Sequence, residues 1–176
     1  MVLNALLQQV LMKDEESVPR PPTAGNPIDD ILAFAAGEVH EMVAQEALSR
    51  PILAGLSRLD GDPPLMTGAQ WVAVWRSVVD PAFKAGLLHD FVDPELVSRA
   101  LHLMIYGAST KWTNYEVTSE QFAADVVYST SLMLLGVASE NGQPLLRHRF
   151  AEAEQKLQLA LKAKAESPVL PKTAAN

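Results

Sequence analysis

DPELVSRALHLMIYGASTKWTNYEVTSEQFAADVVYSTSLMLLGVA, residues Asp93 to Ala138, carries two helix starts and two runs of helical period. Asp93-Pro94-Glu95 opens the first. An aspartate cap accepts orphan backbone N–H groups, proline at the first helical position loses no bond, and glutamate suits the positive helix end. Leu96, Val97, Ala100, Leu101, Met104, Ile105 and Ala108 then recur at steps of three and four. The pattern breaks from Asn114 to Thr118. Thr118-Ser119-Glu120-Gln121 has the spacing of a capping box and launches a second helix. On it Phe122, Val126, Ser129 and Met133 mark one face, and Ala123, Val127, Thr130 and Leu134 the adjacent one. So short a link makes the two helices antiparallel neighbours.

Their apolar surface is broad. A stripe of roughly 100° serves a single core, whereas Tyr128, Leu132 and Leu135 extend the faces already named. The same helix pair of a second chain can cover the excess, giving an intermolecular four-helix bundle. Alternatively, other helices of the same chain cover both sides.

Ahead of this pair, Val2–Met12 is a short helical stretch with Leu3, Leu6, Leu7 and Val10 on one face, and Lys13–Asn26 is a proline-rich loop. Asn26-Pro27 opens a long helix with Ile28, Ile31, Leu32, Ala35, Val39, Met42 and Val43 as its stripe. It is expected to end near Ser49, before Arg50-Pro51. Ile52–Leu59 reads as another short helix, ended by the Asp60–Pro64 loop. Thr67–Gln70 is a second capping box, and its helix carries Trp71, Val72, Val74, Trp75, Val78, Val79 and Phe83. Pro81 predicts a kink or break near Asp80, and Gly86 a C-cap. Beyond Gly142, Pro144 starts a last helix, with Leu146, Phe150, Ala153, Leu157, Ala160 and Leu161 as its stripe. Residues 1–166 form one domain and 167–176 a disordered tail by this reading. No period-two run competes, so the expected fold is an all-α helical bundle.

Composition narrows the function. The 176 residues contain no cysteine, which excludes disulfides, thiolate metal sites and cysteine nucleophiles. A net charge of −7 argues against nucleic-acid binding by this chain, because phosphate contacts need a concentrated basic surface. Arg147-His148-Arg149, the one basic cluster, stands beside Glu152 and Glu154 as a solvated helix face. Met1–Met12 lacks the features of a secretory signal, and no apolar run approaches the roughly 20 residues that span a bilayer. The expectation is a cytoplasmic protein without membrane contact.

Chemistry is equally sparse. Glu38-Val39-His40-Glu41 does not have the spacing of a helical metal site, and no other pair of ligands does. Nucleophile elbow, phosphate loop and dinucleotide fingerprint are all missing from the sequence. His40, His89, His102 and His148 stand singly. Neither an enzyme nor a cofactor is expected. Trp71 and Trp75, at i and i+4, share a helix face. With Phe34, Met42 and Met104 on other helices they suit either an apolar ligand space or a plain packed core.

The order of these signals resembles the tetracycline-repressor (TetR) family of transcriptional regulators. Phe83–Leu96 is similar to that family's junction between two late helices, in which a glycine-ended helix leads to an Asp-Pro-Glu-Leu-like start. Gly107, Ala108 and Trp112 match the small residues and late aromatic that follow. Thr118–Phe122 matches the start of the last helix of the dimer bundle, and Leu135-Gly136 its end. The resemblance covers Val2 to Ala138. The family's DNA-reading helix-turn-helix has no counterpart ahead of Val2, and the helix Pro144–Glu166 is additional.

The resemblance implies an effector-binding and dimerisation domain of a repressor, in a chain whose DNA-binding part was either removed or never present, with operator DNA bound only through that part in a complete regulator. It implies a cavity for a small apolar or amphipathic molecule, lined by Phe34, Met42, Trp71, Trp75, Leu101, Met104 and Ile105, with His40, Ser109 and Thr110 as polar anchors. Occupancy would move the helix Val2–Met12. A homodimer is expected through Val127, Tyr128 and Leu134. The competing expectation is a stand-alone all-α interaction and dimerisation module without ligand.

Overall fold

The helix starts foreseen from Asn26, Asp93 and Thr118 all form. In the computed structural model, which describes residues 25–56 and 68–166, the Asn26 side chain accepts from the Ile28 N–H at 2.9 Å. Asp93 accepts from the Glu95 N–H at 2.8 Å, and the Thr118 hydroxyl from the Gln121 N–H at 3.1 Å. Among the described residues six helices follow: α1 Pro27–Ala44, α2 Glu46–Leu56, α3 Gly68–Lys84, α4 Pro94–Thr113, α5 Ser119–Gly136 and α6 Gln143–Glu166. The protein is an all-α bundle. Val2–Met12, most of the Lys13–Asn26 loop, Asp60–Pro64, the Thr67 cap and the tail from Ser167 lie outside the described residues. Asp93→Ala should cost about 0.5–2 kcal/mol in a denaturant titration, since it orphans donors at the start of α4.

One proline expectation is corrected, and of the kink or break expected at Pro81 the break does not occur. The first long helix stops at Ala44, with Gln45 as its cap, and α2 runs through Pro51. Proline removes only the bond to the Ala47 carbonyl, and Ala47 and Pro51 both lie at the surface, where water can take that carbonyl. Similarly α3 continues through Pro81 to Lys84 without a break. Its real end is at Gly86, whose φ of +66° is the left-handed region glycine enters freely. The Gly86 N–H donates to Phe83 O at 2.9 Å and the Leu87 N–H to Ala82 O at 3.0 Å, a Schellman closure.

Helices α1 and α5 hold the centre. Ile28, Ile31, Leu32, Phe34, Ala35 and Val39 bury one side of α1 against α2, α3 and α5. Phe122, Val126 and Leu134 bury α5 against α1 and α4, while α6 runs along another flank of α5. Arg149 of α6 grips Asp29 of α1 with two hydrogen bonds, at 2.7 and 3.1 Å, and also donates to Glu152 at 2.9 Å. That bond holds the Glu152 carboxyl below its usual range. The bundle therefore closes first helix to last.

The linkers before α4 and after α5 clamp each other. The His89 N–H donates to Val137 O at 3.0 Å, the Ser139 N–H to Leu87 O at 3.1 Å, and the Ser139 hydroxyl to Gly86 O at 2.6 Å. Leu88 and Ala138 form the isolated bridge between them. Gly142 sits where a Cβ would stand 2.0 Å from Leu87 O, a backbone atom that cannot swing aside. Gly142→Ala should therefore destabilise by about 1–3 kcal/mol or more, as overpacking does, readable as a lowered melting temperature.

Candidate functional site

Four of the residues expected to line a ligand cavity, Phe34, Trp75, Leu101 and Ile105, are buried together in the core. Phe34 meets Trp75 edge to face, with ring centroids 4.7 Å apart. Met42 and Met104 are half-buried and pack against the same cluster. Trp71 instead faces His102, the rings stacked at 5.7 Å. The expected polar anchors are otherwise engaged or outside. The Ser109 and Thr110 hydroxyls both donate to Tyr106 O, at 2.8 and 3.0 Å, and His40 is exposed. The set thus converges on α1, α3 and α4 as a filled interior with a softer rim of Met42, Trp71, His102 and Met104.

His102 is displaced from the ordinary behaviour of a histidine. Burial pushes its pKa below 6.5, so it stays neutral against Trp71 where a free histidine takes a proton. As pH falls below 6.5 the unfolded chain protonates first, so stability is lost from there down to the folded value. Between about pH 7.5 and about pH 5.5, His102→Phe should lose less stability than the unmodified protein. Equal losses in urea titrations at the two pH values would remove this role.

The expected dimer residues are taken up within the chain. Leu134 has 0 % exposure within the single chain and belongs to its core. Tyr128 is half-buried and packs on Phe150 of α6, centroids 5.3 Å apart, and Val127 faces the groove between α5 and α6. Helix α6 covers that flank of α5. A different apolar stripe remains outside. On α4, Leu96 is 63 %, Leu103 56 % and Tyr106 50 % exposed, and on α5 Leu132 is 47 % exposed. Leu96, Ala100, Leu103 and Gly107 follow steps of four, three and four, all on the exposed side of α4. Large and small residues alternate along that seam, the pattern of knobs and holes in helix pairing.

A second cluster, absent from the sequence reading, joins α2 to the turn between α4 and α5. The Arg50 guanidinium lies 4.6 Å over the Trp112 ring and 4.2 Å over that of Tyr115. Trp112 in turn stacks on Phe122 at 5.1 Å. The Trp112 indole N–H donates to the Ser119 hydroxyl at 3.0 Å, and that hydroxyl donates to Glu46 Oε2 at 2.7 Å. Glu46 Oε1 stands 3.0 Å from Arg50 Nε, yet off the line a hydrogen bond requires. The sequence signal was available as Glu46 and Arg50 at i, i+4, with the arginine treated only as the residue before proline.

Two hollows among the described residues lie elsewhere than the expected cavity. One, of about 540 Å³, runs between α5 and α6 over Ala123, Val127, Ala160 and Ala163. The other, of about 380 Å³, is bordered by Glu46, Arg50, Tyr115–Ser119 and Lys164. None of the residues expected to line a ligand cavity borders either. Among the described residues no three His, Cys, Asp or Glu side chains gather as a metal ion would need, and no helix is long and apolar enough to cross a membrane. Compared with family models, curated proteins and solved structures, the chain finds no match.

Proposed function

We propose that this chain is the effector-binding and dimerisation domain of a TetR-like transcriptional repressor, working as a homodimer paired through the outer faces of α4 and α5. The observation that carries the reading is the exposed seam Leu96-Ala100-Leu103-Gly107 with Tyr106 beside it. A helix facing only water is normally polar on that side, and apolar patches of this kind mark interaction surfaces. The seam lies on α4, whose sequence carries the family resemblance. The ligand side of the reading rests on the rim of Met42, Trp71, His102 and Met104, whose flexible or stacked side chains an apolar molecule would displace to reach Trp75. Such a molecule acts as a signal only through unequal affinity for two conformations of the domain.

A thermal-shift screen of acyl chains, aromatics and amphipathic drugs tests the ligand half, because binding to the folded state raises the melting temperature. The expected result is at least one chemical class that raises it and quenches tryptophan fluorescence. A flat response across all classes favours the second reading, a dimerisation module without ligand. That reading draws on the filled interior around Phe34, Trp75 and Leu101.

A further inference from the structure

We propose that Arg50 is an oxyanion-receiving group and that the hollow it borders takes a small carboxylate- or phosphate-bearing molecule. The proposal stands apart from the regulator reading and needs neither a dimer nor an apolar ligand. A guanidinium carries five N–H donors and no acceptor. Arg50 is only 7 % exposed, and its Nε is buried without a hydrogen-bond partner. A buried donor without an acceptor is costly, so the folded chain gains when something supplies one. Glu46 offsets the charge without satisfying the geometry, since its second oxygen is committed to Ser119.

The surroundings fix the group for recognition. Trp112 and Tyr115 each carry the guanidinium over a ring face, at 4.6 and 4.2 Å, which restrains where it can move. Tyr115 does this from a left-handed backbone conformation, φ +60°, in the position after α4 where glycine is usual. Its own ring is exposed, so burial does not account for its presence there. Lys164 from α6 reaches the same hollow, its Nζ donating to Glu116 O at 2.6 Å. The start of α5, at Thr118 and Ser119, adds positive helix-end potential on the same border. The two carboxylates present, Glu46 and Glu116, balance Arg50 and Lys164 in charge. The incoming group is therefore selected by the fork of arginine donors, which matches a planar carboxylate or a phosphate edge, and is not drawn in by net attraction.

The test follows the Arg50 side-chain N–H resonances of the full chain by NMR, assigned from their loss in Arg50→Lys. Sodium benzoate, sodium acetate and inorganic phosphate are titrated separately against sodium chloride at matched ionic strength. The expected result is a saturable shift with at least one oxyanion and none with chloride. Benzoate or acetate alone assigns an organic acid, and phosphate alone assigns a phosphate ligand. Lys164→Ala, a change at the exposed end of α6, should weaken that binding about two- to fivefold, the size of an exposed charge contact. In Arg50→Lys, followed through the Trp112 indole N–H of the same cluster, no saturable shift should remain, because an ammonium lacks the fork. Resonances that stay still, or that move equally with chloride, would overturn the proposal. A saturable shift left unchanged by Lys164→Ala would overturn the placement of the ligand in this hollow.

Discussion

Leu134→Glu is expected to yield no folded protein, whereas Leu103→Glu, a chemically identical change one helix away, yields a well-folded monomer. Leu134 has 0 % exposure and sits with Phe122 and Val126 on the buried side of α5. Truncating such a leucine costs about 2–5 kcal/mol. Glutamate adds an unpaired carboxylate in an apolar site, against a total stability of about 5–15 kcal/mol. Leu103 faces outward on α4 at 56 % exposure, so its replacement leaves the core intact and puts like charges across the proposed seam. Circular dichroism separates the two outcomes from each other, and sedimentation separates monomer from dimer. A folded Leu134→Glu monomer beside a dimeric Leu103→Glu would reverse the assignment of inside and outside on these helices.

The second large effect is at Trp75. Trp75→Ala should destabilise by about 3–5 kcal/mol, removing a buried indole whose neighbours cannot all close the gap. For a chain of this length each kcal/mol lowers the melting temperature by about 2–4 °C, so a fall of roughly 6–20 °C is expected. Phe34 loses its edge-to-face partner at the same time. The variant also discriminates between the two functional readings. Indole should stabilise Trp75→Ala by refilling the space, as apolar molecules fill apolar cavities. If indole stabilises the unmodified protein as well, the interior opens without a vacancy being made, which favours effector binding.

Much of the bundle was legible from local signals. Asn26-Pro27, Asp93-Pro94 and Thr118–Gln121 each combine a capping side chain with helical period, so both the start and the kind of element were written in neighbouring residues. Pro51 and Pro81 misled because the rule for proline counts one lost bond and one clash, while tertiary packing decides whether a surface helix absorbs them. The faces of α5 were harder. Its apolar residues go nearly all the way round, so periodicity alone did not say that Tyr128 meets Phe150 or that Leu134 turns inward. Only the placement of α6 decides which flank remains for a partner. The Arg50 cluster was hidden for another reason. Ser119 and Glu46 are 73 positions apart in sequence, and no local pattern announces a contact that long-range folding creates.

The proposed dimer requires that the seam of α4 be covered by a second copy of the chain. Sedimentation equilibrium of the unmodified protein at micromolar concentration measures this directly. A species of twice the 19.1 kDa chain mass is expected, reduced to a single chain by Leu103→Glu with helicity unchanged. A lone 19.1 kDa species across that range, with the seam left open to water, would contradict it.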